Sequence, residues 1–162
     1  LSKNPYSEIG WYNLGKNYVK TKKYDKALAA FDYAIFSDDS FTSPYIDKGK
    51  LLEKIKKFDE AIENYKEIIA INPNSSYALF RIGFCYEKKQ EYNNSLTYYF
   101  KCVSDNPNMD KAFYRISMYY YRESNFKKAA EFIEKAIGSN QEKSKYWKIY
   151  LNCLSKTSTK NY

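Results

Sequence analysis

Histidine is absent from the 162 residues, which include only five glycines, four prolines, three cysteines, two methionines and two tryptophans. Without histidine, the commonest general base and metal ligand is missing. The glycines are scattered, so no loop cradles a phosphate and no strained elbow presents a nucleophile. The sequence therefore reads as non-enzymatic, with no metal and no cofactor. A site built from Asp, Glu, Lys and Tyr is the one catalytic option left. The cysteines, Cys85, Cys102 and Cys153, are odd in number and show no CxxC spacing, which argues against disulfide or metal pairing. Read as small buried hydrophobes, they fit a reducing compartment such as the cytoplasm. No apolar run approaches the length of a membrane span, and no signal sequence is evident. Leu1 is not an initiator methionine, which leaves room for a lost targeting segment before it.

Acidic residues are in the minority. Lys and Arg number 27 against 19 Asp and Glu, a formal charge of +8 and a pI near 9.1. This excess has two readings that composition does not separate. One is an anionic partner, whether acidic peptide, nucleic acid or membrane surface. The other is codon bias, since Lys, Asn, Tyr, Ile and Phe are all abundant and all have AT-rich codons.

What the chain does have is a period. Tyr24, Phe58, Tyr92 and Phe126 recur every 34 residues, with Ala27, Ala61, Ser95 and Ala129 three places after each. Gly15, Gly49, Gly83 and Ser117 recur in the same register. A fixed period of this length signals stacked helix–turn–helix units. With Trp11 at position four, the repeats span 8–41, 42–75, 76–109 and 110–143. Residues 1–7 are expected to end a preceding repeat, because Asn4-Pro5 falls where a repeat closes, so the chain reads as part of a longer array. Residues 144–156 are expected to form a capping helix made polar by Lys145, Lys148, Asn152 and Lys156, and 157–162 a tail.

Position four (Trp11, Tyr45, Leu79, Phe113, Trp147), position seven, the glycines and position eleven (Tyr18, Leu52, Tyr86, Tyr120, Leu154) form an i, i+3, i+4, i+7 stripe. That stripe is one face of each unit's first helix. The second helix opens at the aromatic ladder, read as core, and carries Phe31, Tyr65, Tyr99 and Ile133 seven residues on. A glycine inside a helix costs roughly 1 kcal/mol against alanine, a cost tolerated where a neighbouring helix approaches closely. Pro73 and Pro107 stop the second helices of repeats two and three.

The pattern Trp11-Tyr12-Asn13-Leu14-Gly15, then Tyr18, Tyr24, Ala27, Phe31 and Ala34, resembles the tetratricopeptide repeat family, and the likeness extends over nearly the whole chain. Asp39 and Gln141 in place of the closing proline, Ser117 for Gly, Ser95 for Ala and Lys48 at an apolar position depart from it and imply locally looser packing. The resemblance implies an all-α fold: a right-handed α-solenoid of stacked antiparallel helix pairs with a C-terminal capping helix. It also implies a concave groove that binds extended or helical peptides.

Positions two, five, six, nine and thirteen of each first helix sit two residues from the core stripe. Two residues turn a helix by about 200°, so these side chains point away from the packing seam. In repeat one they include Tyr12, Asn13, Lys16 and Lys20; in repeat two Asp47, Lys50 and Lys54. Repeat three contributes Tyr77, Phe80, Arg81, Phe84 and Lys88. Repeat four contributes Lys111, Tyr114, Arg115, Met118 and Arg122, and Lys145 and Lys148 extend the row. Phe80, Phe84, Tyr114 and Met118 are expected to face solvent as a patch flanked by Arg81, Lys111 and Arg115. Equivalent positions on adjacent helices lie roughly 8–10 Å apart, so Arg81 and Arg115 could share a ligand carboxylate. The alternative is that Asp47 pairs with Arg81 and the rings pack on each other.

Chaperone-binding members of the family hold a C-terminal carboxylate with two Lys, two Asn and one Arg. Lys111 and Arg115 match two of these, while Ile46, Lys50 and Arg81 replace the rest, which points to an acidic peptide held by other contacts. The expected function is thus a non-catalytic scaffold for a protein or peptide ligand that is acidic or contains aromatics. The alternatives are single-stranded RNA on the basic-aromatic face, or end-to-end self-association of the solenoid.

Overall fold

The computed structural model describes residues 7–158. Among these residues there are nine α-helices and no strand. They are α1 (Glu8–Lys20), α2 (Tyr24–Ser37), α3 (Thr42–Lys54), α4 (Phe58–Ile71), α5 (Ser76–Lys88), α6 (Tyr92–Asp105), α7 (Asp110–Arg122), α8 (Phe126–Ser139) and α9 (Ser144–Ser158). The expected preceding repeat end falls, except for Ser7, outside the described residues, as does the tail beyond Ser158. The fold class is all-α, of the solenoid type built from helix pairs. The chain divides into two compact units, the first ending at Pro73 and the second starting at Asn74.

The turn inside each helix pair is built identically four times. Lys22, Lys56, Gln90 and Ser124 all take positive φ, between 56° and 64°. The next residue's amide reaches back to close the helix: Lys23 to the Tyr18 carbonyl, Lys57 to Leu52, Glu91 to Tyr86 and Asn125 to Tyr120, each at 2.9 Å. This is the Schellman closure, in which a left-handed residue satisfies the orphan carbonyls of a helix end. None of the four is glycine, so each turn carries a left-handed side chain.

The second helices also end alike, with or without proline. Asn72 and Asn106, before Pro73 and Pro107, are extended at φ −134° and −135°. Asp38 and Asn140, which lack the proline, reach φ −152° and −157°. At Asp38 the carboxylate accepts the Ser40 amide at 3.0 Å, and Asn106, before Pro107, accepts the Asn108 amide at 3.1 Å, so this local turn forms with or without proline. The looser packing expected at these two ends is not seen in their backbone.

The core is organised by a ring and the absence of a side chain. Phe31, Tyr65, Tyr99 and Ile133 are 0–2% exposed. A Cβ on Gly15 would lie 2.6 Å from the Phe31 ring, and one on Gly83 2.8 Å from Tyr99. Gly49 is in the same relation to Tyr65. Where the ring gives way to Ile133, a side chain fits: Ser117 is buried and donates to the Ala129 carbonyl at 2.8 Å. The ladder that revealed the period is not this core. Tyr24, Phe58 and Phe126 are half-buried, and Tyr92 is 38% exposed. Each opens its helix beside the turn, and Lys54, Arg122 and Lys156 lie over the rings of Tyr24, Tyr92 and Phe126. Lys48, at an apolar position, meets Asp32 at the surface and keeps its ammonium wet.

In the second unit Asp110, at the start of α7, anchors α9. It accepts from Tyr146 at 2.9 Å and Asn140 at 3.3 Å, and pairs with Lys143. The outer face of α9 is not the polar cap expected of it. Lys145, Lys148, Asn152 and Lys156 are exposed, but so are Trp147, Leu151 and Leu154. Trp147 and Leu154 occupy positions four and eleven, the stripe that elsewhere packs on a second helix, and none follows α9 among the described residues. The three cysteines are buried free thiols, and burial followed by the nearby Asp105 charge pushes Cys102 up to about 12.

Candidate peptide-binding face

In the first unit the expected face lies on α1 and α3. Tyr12 is half-buried, its ring 5.3 Å from Phe41, and its hydroxyl donates to Asp47 at 2.8 Å. Burial, and then that hydrogen bond and the Asp47 charge, push the Tyr12 phenol up to about 12. Lys50 pairs with the other oxygen of Asp47 at 3.1 Å. Asn13 is exposed. Beside them an open cavity of about 270 Å³ has Val19, Phe31 and Leu51 in its wall. Lys16, Lys20, Lys50 and Lys54 line it too, against the single carboxylate of Asp47. Val19 and Leu51 reach it because α1 and α3 present the C-terminal halves of their first-helix faces side by side.

The second unit carries the rest of the predicted residues on α5 and α7. Arg81 and Arg115 do come together, on the ring of Phe84, with their guanidinium carbons 4.9 and 5.5 Å from its centroid. Lys88 approaches the same ring at 5.2 Å. Tyr114 lies under Lys145 at 4.4 Å and beside Tyr146 at 5.3 Å. Lys111 is exposed, whereas Tyr77 and Met118 are half-buried. Phe80 departs from expectation: it is 9% exposed and packs on Tyr99 at 5.6 Å. The helix pair is tight enough at that point to draw a flank position into the core.

A residue not singled out from sequence joins several of these groups. Glu87, at position twelve, accepts from the Tyr99 hydroxyl at 2.8 Å and from Arg115 at 2.9 Å, and lies 3.9 Å from Arg122. Burial, then the Glu87 charge and hydrogen bond, hold the Tyr99 phenol well above its ordinary range, with Arg115 opposing. The space around these groups amounts to about 10 Å³. Arg115 and Arg122 therefore face an internal carboxylate. The signal was present as spacing, since Glu53–Tyr65 repeats the Glu87–Tyr99 pair twelve residues apart and bonds at 2.7 Å.

Among the described residues no group of three or more Cys, Asp or Glu side chains could hold a metal ion, and no helix is long and apolar enough to cross a membrane. Tetratricopeptide repeat models match residues 10–35, 42–75 and 110–143, and a second such model matches 77–108. No curated protein matches the chain. Among solved structures it is similar to a crystal structure of MamA, with a TM-score of 0.76 at 22% identity over 88% of this chain and 84% of that one. MamA from Desulfovibrio magneticus RS-1 gives 0.71 at 20% identity over 85% and 78%. A tetratricopeptide repeat protein from Parabacteroides merdae gives 0.76 at 16% identity, covering 96% of this chain and 61% of that one. At these identities the likeness concerns the fold. With all four predicted repeats matched, the chain belongs to the tetratricopeptide repeat family, which supports a role as a protein–protein interaction scaffold.

Proposed function

We propose that this scaffold is non-catalytic and binds an acidic peptide segment, with apolar or aromatic side chains between its carboxylates, on the faces of its first-type helices. The observation that supports it best is the open cavity of the first unit, where four lysines surround a wall containing Val19, Phe31 and Leu51. Lysine ammonium groups attract carboxylates, and their stems together with the apolar wall accept the hydrocarbon between them. Tyr12, Asn13, Lys16 and Lys50 form the contact set in the first unit. Tyr77, Phe80, Arg81, Phe84, Lys111, Tyr114, Arg115, Met118 and Arg122 form it in the second, with Phe80 as wall. A single extended segment binds with a dissociation constant on the order of micromolar, because ordering the peptide costs much of the contact energy.

Fluorescence anisotropy with a labelled peptide of alternating glutamate and leucine tests this against the glutamine–leucine analogue. Saturable binding of the first and none of the second is the expected result, and equal binding of both refutes an acidic ligand. Arg81→Glu is the substitution for the second unit. Arg115→Glu is less informative, because it sets a second carboxylate against Glu87. Single-stranded RNA at two salt concentrations serves as the competing probe, since phosphate contacts give a steep salt slope. Self-association has a separate observation in its favour: Trp147, Leu151 and Leu154 lie exposed at i, i+4 and i+7 on α9. Sedimentation of wild type beside Leu151→Glu checks it, with loss of any dimer in the variant expected.

A further inference from the structure

We propose that position twelve of a repeat decides which niche takes a partner's carboxylate. Glu87 fills the niche of the second unit from within. Val19 leaves the niche of the first unit open to the glutamate or aspartate side chain of an acidic, apolar-flanked peptide. This rests on the peptide-binding reading above and deepens it to one subsite and one selecting residue.

The two niches are built from the same repeat positions. In the second unit, position twelve is Glu87, position twenty-four of the same repeat is Tyr99, and position six of the next is Arg115. Those three groups bond one another at 2.8 and 2.9 Å, and about 10 Å³ remains. In the first unit the corresponding residues are Val19, Phe31 and Asp47. Neither Val19 nor Phe31 offers a polar atom, and Asp47 is turned to the Tyr12 hydroxyl and Lys50. About 270 Å³ stays open, lined mainly by apolar atoms, the stems of Lys16, Lys20, Lys50 and Lys54 included, with Asp47 among the lining residues. The second unit thus shows the chemistry that closes such a niche, a carboxylate between cations; in the first unit four lysines surround the niche and the one carboxylate among them, Asp47, is engaged by Tyr12 and Lys50. The ligand needs a carboxylate for the lysines and a hydrocarbon stem for Val19, Phe31 and Leu51. A glutamate or aspartate beside an apolar residue has both, whereas a bare phosphate backbone leaves the wall unused.

The test uses a fluorescein-labelled peptide of alternating glutamate and leucine, amidated at its C-terminus so that only side-chain carboxylates are present. Val19→Glu supplies the niche with its own carboxylate and is expected to weaken binding by about tenfold or more, while Val19→Leu stays within about twofold of wild type. Lys20→Glu with Lys54→Glu, both at exposed sites, is expected to give a similar loss, which keeps the test independent of how Val19→Glu folds. Lys101→Glu with Lys127→Glu removes the same net charge from exposed sites of the second unit and is expected to change affinity by no more than about twofold. Equal losses from the two double variants mean diffuse attraction and overturn the niche. Unchanged binding by folded Val19→Glu also overturns it; if Arg81→Glu then releases the peptide, the peptide-binding reading survives with its site in the second unit. Absence of binding by wild type overturns both.

Discussion

Between α1 and α3 the wall of the open cavity includes Val19 and Phe31; on α5 and α6 the same two repeat positions hold Glu87 and Tyr99, and the space is closed. The helices, turns and glycine–ring contacts of the two units are otherwise alike. The apolar pair gives way to a polar one, and beside it Asp47, Lys50 and Leu51 give way to Arg115, Met118 and Tyr119, which line the closed space. A buried carboxylate needs partners for its oxygens, so glutamate at position twelve is accompanied by tyrosine twelve residues on, in Glu53–Tyr65 as in Glu87–Tyr99. Where position twenty-four is Phe31 or Ile133, position twelve is Val19 or Tyr121. Niches of like backbone are thus open or closed according to the side chains at these repeat positions.

The most severe way to break the comparison is to give the second unit the first unit's pair one residue at a time. Glu87→Val leaves the Tyr99 hydroxyl and the Arg115 guanidinium without their acceptor, at a cost of about 2–3 kcal/mol. Adding Tyr99→Phe removes one orphan, and the half-exposed Arg115 can turn to water. The double variant is therefore expected to be more stable than Glu87→Val by about 1 kcal/mol. Urea titration of the four proteins in the cycle measures this. Strictly additive losses would mean that the two residues act separately and that the pair is not a unit.

How far this was legible in the sequence follows from the same residues. The 34-residue period fixes the helices, because apolar spacing and turn position need only local rules, and the glycine ladder marks where the rings pass. The period did not reveal which aromatic was deepest. Tyr24 and Phe31 both recur, and burial depends on how far each lies from the rim of the turn. Nor did it reveal that Arg115 is held internally. Glu87 reads as one more charged helical residue until the packing of α5 on α6 brings it to the Tyr99 hydroxyl. The exposed face of α9 shows the opposite limit: Trp147 and Leu154 keep the core positions of the repeat whether or not a helix covers them.

A second carboxylate extends the contrast to acid. Burial alone would raise the Asp110 carboxyl, but hydrogen bonds from Lys143 and Tyr146, with the Lys143 charge, outweigh it and hold the group below its ordinary value. A carboxylate with a lowered folded-state pKa stabilises the fold fully above its unfolded value of about 3.9, and that share is lost as pH falls through the folded value. Asp110→Asn is therefore expected to cost about 1 kcal/mol at neutral pH. Its stability gap from wild type should narrow steadily below about pH 4. A gap that stays constant into acid would show that Asp110 acts through shape and not through charge.

The smallest effect concerns what the two units share. Lys56 in the first unit and Gln90 in the second hold φ at 63° and 64°, with the same helix-closing hydrogen bond beside each. A side chain in the left-handed region costs about 1–2 kcal/mol, and glycine removes that cost while adding about 0.5–1 kcal/mol of chain entropy. Lys56→Gly and Gln90→Gly should each stabilise their unit by about 0.5 kcal/mol, read as a rise in thermal midpoint. Neither position lines the open cavity, so Lys56→Gly should leave peptide affinity where it was. Matching gains in the two units would confine their difference to the niche. A gain in one and a loss in the other would mean that the turns, identical in backbone, are strained differently by the helices they join.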